Sequence, residues 1–194
     1  MRENLLKKVV GRICLALPLF ALALPASAQV QYCMGGGTSC QYLRDQAFSN
    51  GPVSNPNLGW LYGNNSWWTT VTDPCSLNAT SLAARLPAGG GVRQQFNATG
   101  QFPYWRIRLD VYFGDAGGTS NDRINVYVDN MDTGVMEIFT VDATQYGLCA
   151  GVVAFDLDND YSDADVAVTL RRGLNSPMNH ISVDNASFWG SIYQ

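Results

Sequence analysis

The stretch YWRIRLDVYF, residues 104–113, alternates strictly between apolar and polar side chains. One set consists of Trp105, Ile107, Leu109, Val111 and Phe113, and the other of Tyr104, Arg106, Arg108, Asp110 and Tyr112. Successive side chains of a β-strand point to opposite faces of the sheet, so one set can be buried while the other remains in water. The stretch therefore predicts a strand with one buried face and one polar, aromatic face.

Similar strand patterns follow this stretch later in the chain. RINVYVD (residues 123–129) and DVAVTLRR (residues 165–172) alternate in the same way. Turn residues, mainly Gly, Asn, Ser, Thr and Asp, separate the apolar segments every 8 to 12 residues or so, as in all-β proteins. We expect about eight to ten strands and no long helix. An antiparallel two-sheet sandwich, built as a single domain, is the natural way to bury so many one-sided strands.

The first 28 residues have the pattern of a secretory signal. Four basic residues accompany the apolar run ICLALPLFALAL (residues 13–24), and PASA (residues 25–28) supplies small residues before a cleavage point after Ala28. We therefore expect a secreted or periplasmic protein with no membrane insertion in its mature form. The predicted organisation is a signal peptide at 1–28, an N-terminal extension at 29–46 and the β-sandwich at 47–194.

The charge of the chain after residue 28 argues against nucleic acid as a partner. This part contains eight Arg, no Lys and 15 Asp or Glu, so its net charge is −7. Binding to nucleic acid requires a cationic surface that neutralises phosphates. An anionic membrane surface is an unsuitable partner for the same reason.

Four cysteines follow the predicted signal, namely Cys33, Cys40, Cys75 and Cys149. An even number in an exported chain predicts two disulfides. We favour Cys33–Cys40, which would form a local disulfide in the extension, together with Cys75–Cys149, and the other two pairings stay open. A structural zinc site is the competing interpretation, but the sequence has no CxxC motif.

Three segments resemble carbohydrate-binding modules of the family 4/9-like group. They are FSNGPVSNPNLGW (48–60), SLAARLPAGGGVRQQFNATGQFPYWRIRLDVYF (81–113) and ISVDNASFWG (181–190), which match the opening, central and closing segments of that group. The resemblance covers most of the chain after the signal. It implies a galactose-binding-like jelly roll that is usually non-catalytic and often binds glycans.

The resemblance also implies a structural calcium ion beside the last strand. Members of the group often carry an acidic residue just after the opening Phe, and this residue shares the ion with an Asp of the closing strand. Asp184 matches the closing Asp, but Ser49 and Asn50 follow Phe48 here. The alternative for Asp184 is a side chain that binds backbone at the edge of the sandwich. The N-terminal cysteine pair is likewise not part of the usual pattern.

FDLDNDYSDAD, residues 155–165, packs five carboxylates into a short segment. An EF-hand loop starting at Asp156 would need Gly where Tyr161 stands and Glu where Ala167 stands, so that motif does not fit. Asp and Asn favour turns because their side chains bind nearby backbone amides. The pattern favours a solvated strand connection. A calcium site of another kind, using Asp158 and Asp160, stays open, as does a catalytic role.

Two groups of residues are candidates for carbohydrate binding. Trp67 and Trp68 are adjacent, so one of them faces outward if they lie in a strand, and an exposed indole can stack on a pyranose ring. The alternative is that both cover the core from a loop.

The second group is the polar face of residues 104–113. Arg106, Arg108 and Tyr112, with Tyr127 expected across the same sheet, combine guanidinium donors with aromatic rings and suit hydroxyl pairs or a carboxylate. A surface ladder of Arg and Asp110 in water is the alternative.

Evidence for catalysis is weak in the sequence. A glycosidase commonly uses two carboxylates that flank the scissile bond, yet the chain after residue 28 has one Glu, Glu137, within a strand pattern. A Ser-His-Asp triad would have to use His180, and no GxSxG motif exists. We therefore expect a non-catalytic, exported carbohydrate-binding protein. The alternatives are a structural or adhesive cell-envelope protein that makes protein contacts and a small polysaccharide lyase or hydrolase.

Overall fold

The computed structural model of the protein describes residues 32–34, 37–44, 46, 48, 51–63, 66–71, 81–113, 123–146, 149–174 and 181–194. The strands in these ranges are β1 (Tyr32–Met34), β2 (Ser39–Gln41), β3 (Leu61–Gly63), β4 (Trp67–Val71), β5 (Ser81–Leu86), β6 (Gly91–Ala98), β7 (Tyr104–Tyr112), β8 (Arg123–Asn130), β9 (Val135–Asp142), β10 (Cys149–Leu157), β11 (Ala164–Arg172) and β12 (Ile181–Ser191). The helix α1 (Ala143–Tyr146) links β9 to β10. None of the described residues forms a helix long and apolar enough to cross a bilayer.

The strands form two antiparallel sheets. In the seven-stranded sheet, β12 pairs with β7 along one edge and with β5 and β2 along the other, while β10, β4 and β1 extend the sheet outward. The five-stranded sheet has the order β3-β6-β11-β8-β9. The predicted antiparallel two-sheet sandwich is confirmed.

The β7 strand has the two faces that its sequence predicts. Its apolar side chains, with Phe113 just beyond its end, are at most 2% exposed, whereas Tyr104, Arg106 and Arg108 are exposed. Its register neighbours are β10 on one side and β12 on the other, so the polar face of β7 lies within the outer surface of the seven-stranded sheet, one strand in from the β10 edge.

An aromatic cluster fills the space between the sheets around Trp105. The ring of Trp105 lies 5.8 Å from Tyr42, 5.6 Å from Phe102, 6.1 Å from Tyr161 and 5.6 Å from Phe188, measured between centroids. Tilted and edge-to-face contacts of this kind add to the free energy gained from burial. The cluster ties β7 and β12 to the connection between β10 and β11.

The segment predicted as an N-terminal extension belongs in part to the sandwich. The predicted disulfide Cys33–Cys40 is confirmed and joins β1 to β2. Because β2 pairs with β12, Tyr42 just after it is fully buried in the core. The signal sequence and Cys75, and with Cys75 the predicted Cys75–Cys149 disulfide, lie outside the described residues.

Candidate functional site

A depression of about 570 Å³ opens on the outer face of the seven-stranded sheet, where β10, β7 and β12 lie side by side. Its volume lies in the usual range for small-molecule sites. The residues around it are Ser39, Tyr104, Trp105, Arg106, Arg108, Ala154, Asp156, Leu157, Asp158, Trp189, Ser191, Tyr193 and Gln194. Aromatic rings and charged groups therefore meet at one place on this surface.

An ion pair fixes Arg106 in the depression. Asp156 lies opposite Arg106 in the pairing of β10 with β7, and the Nε of Arg106 donates to the Asp156 Oδ1 at 2.5 Å. This side-chain hydrogen bond raises the pKa of Arg106 above its ordinary value. Both side chains are about half exposed, so the pair contributes little to stability. Its effect is to orient the guanidinium group.

Trp189 supplies the central aromatic side chain of this surface. It lies opposite Arg106 in the pairing of β12 with β7, and it is partly exposed, whereas its neighbour Phe188 is fully buried. Tyr104 and Tyr193 are 42% and 69% exposed and stand at the same depression. The depression thus offers one half-buried indole and two more accessible rings.

A β-bulge decides that Trp189 faces outward. Asp184 pairs with Asp110 and Ser187 pairs with Arg108, so β12 uses one more residue than β7 over this interval. Asn185 lies in the bulge with φ of 47°, a left-handed conformation that Asn adopts more readily than most residues.

The hydrogen bonds of Asn185 hold the bulge in place. Its side-chain Nδ2 donates to Asp110 Oδ2 at 2.8 Å, and its backbone N–H donates to Asp184 Oδ1 at 2.7 Å. If alternation continued unbroken from the buried Val183, Trp189 would point into the core. The extra residue reverses the alternation and places Trp189 on the surface.

The structure brings together two of the predicted carbohydrate-binding residues and separates the others. Arg106 and Arg108 both border the depression. Tyr112 lies on the same outer face opposite Ser182, beyond the residues that line it.

The expectation that Tyr127 lies across the same sheet is wrong. It belongs to β8, and β8 pairs with β11 and β9 in the five-stranded sheet. Its partly exposed side chain therefore lies on the opposite side of the sandwich from Arg106. Alternation within RINVYVD identifies an outward residue, but not the sheet to which the strand belongs.

Trp67 and Trp68 do lie in a strand, β4, at one edge of the seven-stranded sheet. They pair in register with Arg85 and Ala84 of β5. Their side chains lie outside the described part of the structure, so their placement adds nothing to the site.

Sequence reasoning missed Trp189 and Tyr193. The signal for Trp189 was present, because Phe188 and Trp189 are adjacent in a strand and cannot share a face. Trp67 and Trp68 are adjacent in the same way. Tyr193 follows the last strand, where alternation carries no information.

Residues 158–163 of the acidic run form the connection between β10 and β11, as their turn-forming character predicts, while the two ends of the run belong to these strands. Asp160 Oδ1 accepts hydrogen bonds from the Ser162 backbone N–H at 2.8 Å and from Trp105 Nε1 at 3.3 Å. Hydrogen bonds from the side chain and backbone of Ser162 are the main reason that the pKa of Asp160 lies below its ordinary value. Asp163, with φ of 55°, accepts from the Gly100 N–H at 2.8 Å.

Glu137 holds this connection from the neighbouring β9 strand. Its carboxylate accepts hydrogen bonds from the backbone N–H groups of Asp158 and Asn159 at 3.0 and 3.1 Å and from the buried Tyr161 hydroxyl at 2.9 Å. Partial burial disfavours the charged form of Glu137, but these hydrogen bonds outweigh it and lower the pKa of the carboxyl group. The Glu that the sequence places within a strand therefore has a structural role.

Asp184 lies beside a second carboxylate. It is 7% exposed and sits opposite Asp110 in the pairing of β12 with β7. The Oδ1 of Asp110 is buried without a hydrogen-bond partner among the described residues. Like charges directly opposite one another are unfavourable, and a cation would relieve their repulsion. Two carboxylates alone make a small ligand set, and within the described ranges no group of three or more His, Cys, Asp or Glu could hold a metal ion.

Comparison with known proteins finds similarity at the level of structure. No protein-family model and no curated protein matches the sequence. A carbohydrate-binding module of family 61, solved in complex with β-1,4-galactotriose, superimposes with a TM-score of 0.55 at 11% identity, over 78% of this chain and 99% of the module.

Two further solved structures are similar in part. An arabinose-bound α-L-arabinofuranosidase of family GH51 gives a TM-score of 0.48 at 13% identity and covers 79% of this chain, which spans 27% of that enzyme. A family 4 carbohydrate-binding module gives 0.46 at 13% identity, over 77% of this chain and 99% of the module. From the family 61 superposition and the two-sheet topology, we conclude that this chain has a jelly-roll β-sandwich fold.

Proposed function

We propose that this protein binds carbohydrate in the depression on the seven-stranded sheet and does not alter it covalently. The observation that carries the proposal is Trp189, which the bulge in β12 turns outward beside the oriented guanidinium group of Arg106. An exposed indole can cover the C–H face of a pyranose ring. A guanidinium group presents paired N–H donors that suit adjacent hydroxyls. The family 61 module of the same fold, in complex with a galactotriose, supports this choice.

The charged groups at the depression favour binding over catalysis. Asp156, a carboxylate at the same depression as Trp189, is already engaged in an ion pair with Arg106. A glycosidase of the common kind needs one carboxyl group that gives up a proton to the leaving oxygen. The disulfide Cys33–Cys40 together with the signal-like N-terminus supports export to an oxidising compartment.

Replacement of Trp189 by alanine tests the proposed surface. We expect the wild-type protein to be retarded in gels that contain at least one member of a polysaccharide panel, and Trp189→Ala to weaken that binding about 30-fold, because anchoring aromatic residues contribute about 2 kcal/mol to binding. Tyr127→Ala, on the five-stranded sheet, is the matched control and should bind like the wild type.

If Trp189→Ala is still retarded in the gel but Tyr127→Ala is not, the binding site lies on the five-stranded sheet instead. If no polysaccharide is retained and the protein captures an envelope protein, the proposal fails and the adhesive alternative is favoured. Release of reducing ends or of unsaturated sugars during incubation would show an enzyme instead.

We also propose that a calcium ion stabilises the sandwich at Asp184, with Asp110 as the second carboxylate. A ligand that binds only the folded state stabilises it by mass action. We expect addition of a chelator to lower the melting temperature by about 4 °C, which corresponds to about 1 kcal/mol. In Asp184→Asn, the chelator should cause no further loss. An unchanged melting curve for the wild type would contradict the calcium proposal and leave carbohydrate binding unaffected.

A further inference from the structure

Arg108 differs from the other charged residues of β7 in having no partner among the described residues. Asp156 is bound to Arg106, and Asp110 accepts a hydrogen bond from Asn185. The register neighbours of Arg108 are Ala154 on β10 and Ser187 on β12, and neither carries a charge. The exposed guanidinium group of Arg108 therefore borders the depression with its N–H groups available to a ligand.

The position of Arg108 relative to Trp189 suits a charged substituent on a stacked sugar. Trp189 lies opposite Arg106, and Arg108 is two residues away along β7, so Arg108 is the diagonal neighbour of Trp189. Diagonal neighbours lie about 7–8 Å apart, which long side chains can bridge. A pyranose ring resting on the indole would therefore bring the substituent at its edge within reach of Arg108.

The chemistry of guanidinium favours a carboxylate at that place. A carboxylate accepts two parallel N–H donors from Arg, and hydrogen bonds between charged partners are about twice as strong as neutral ones. The neutral hydroxymethyl group of a hexose can offer only a single oxygen. On this basis, which rests on the proposed function, we infer that the carbohydrate bound here carries a uronic acid and that Arg108 binds its carboxylate.

The end of the depression away from Arg108 disfavours a second acidic sugar close to the first. Asp158 lies there, just after the end of β10 and four residues from Ala154, which corresponds to about 13 Å of extended chain. Its carboxylate would repel a second uronate bound at that end. The chain after residue 28 is also strongly acidic, so general attraction of polyanions is not expected. The suitable ligand has uronic acids separated by neutral sugars.

Matched polymers with and without carboxyl groups test this inference. The probes are hyaluronan, glucuronoxylan and polygalacturonate, each beside its carboxyl-reduced, neutral counterpart, and dextran sulfate as a polyanion without uronates. We expect at least one polymer with spaced uronates to bind about tenfold more tightly than its reduced form. We expect polygalacturonate to bind less tightly than that polymer, and dextran sulfate not to bind.

Two variants test whether Arg108 causes the preference for the acidic polymer over its reduced form. Arg108→Gln should abolish the difference between the acidic and the reduced polymer while retaining binding to the reduced form. Arg123→Gln, at an exposed position of the five-stranded sheet, is the control and should keep the preference.

Equal binding of the acidic and reduced forms, or a preference that survives in Arg108→Gln, would overturn the inference and leave the proposed function standing. Tight binding of dextran sulfate would overturn it as well. If neither form of any polymer binds, and no neutral polysaccharide binds, the proposed function itself is contradicted.

Discussion

Replacement of Trp105 by alanine is expected to lower the free energy of unfolding by about 4 kcal/mol, the range measured for large aromatic side chains removed from cores. Trp105 is 2% exposed and contacts four aromatic rings. Its removal leaves a cavity that the rigid strands on both sides cannot close. It also removes the indole N–H that donates to Asp160 Oδ1. Urea denaturation followed by circular dichroism measures the change.

Trp105→Phe separates packing from the hydrogen bond. It keeps an aromatic ring in the cluster and loses only the indole N–H and part of the volume, so we expect a cost of about 1–2 kcal/mol. If Trp105→Ala costs less than about 2 kcal/mol, the aromatic cluster is not the main source of stability at this end of the sandwich. The same residue lies beneath the depression, so Trp105→Ala should also weaken carbohydrate binding.

Replacement of Glu137 by alanine is expected to cost about 3 kcal/mol, more than any other change of a single carboxylate that we consider. Three donors lose their acceptor, and one of them is the hydroxyl of the fully buried Tyr161. The Val128 carbonyl oxygen lies 3.5 Å from the Tyr161 hydroxyl, too far to replace the lost acceptor with good geometry. A buried donor left poorly satisfied costs about 1–3 kcal/mol, while the two backbone N–H groups can turn partly to water. Denaturation curves of the variant and the wild type at pH 7 give the difference.

Two control variants show whether the hydrogen bonds of Glu137 are responsible. Glu137→Gln keeps one acceptor oxygen and should lose about half as much stability. Asp156→Ala removes a carboxylate from an exposed ion pair and should cost at most about 0.5 kcal/mol. Equal losses for Glu137→Ala and Asp156→Ala would contradict the structural role of Glu137.

The effect of Glu137 should also depend on pH. Its pKa is lower in the folded state than its ordinary value of 4.5, so the folded state favours the charged form. The resulting stabilisation is present above the ordinary pKa and is lost as the pH falls through the folded-state pKa. The difference in stability between the wild type and Glu137→Gln should therefore be constant near neutral pH and shrink as the solution is acidified below about pH 4.5. A difference that grows on acidification would contradict this assignment.

The predictions that held depend on neighbours along the chain. Alternation in residues 104–113 identified the buried and exposed faces of β7 residue by residue, because side-chain direction in a strand follows from backbone geometry alone. Turn chemistry likewise identified a strand connection within residues 155–165, since Asp and Asn bind their own nearby backbone, and the connection occupies residues 158–163. The disulfide Cys33–Cys40 closes a short loop and is equally local.

The predictions that failed or were incomplete concern pairing between distant segments. Tyr127 was placed on the wrong side of the sandwich because no local pattern shows which sheet contains β8. Glu137 lay in a strand as predicted, yet its partners at 158–161 come from a connection some 20 residues away in sequence. The outward direction of Trp189 depends on a bulge opposite β7, which alternation within β12 does not reveal.

The sequence by itself determined an all-β chain with one-sided strands, one local disulfide and an acidic turn. These features arise from the two-residue period of the strand and from short-range hydrogen bonds. Only the tertiary structure decided that Trp189, Arg106 and Arg108 meet in one depression and that Tyr127 lies on the other side. The physical reason is that sheet membership, register and bulges are set by hydrogen bonds and packing between strands far apart in the chain, and a shift of one residue exchanges the two faces.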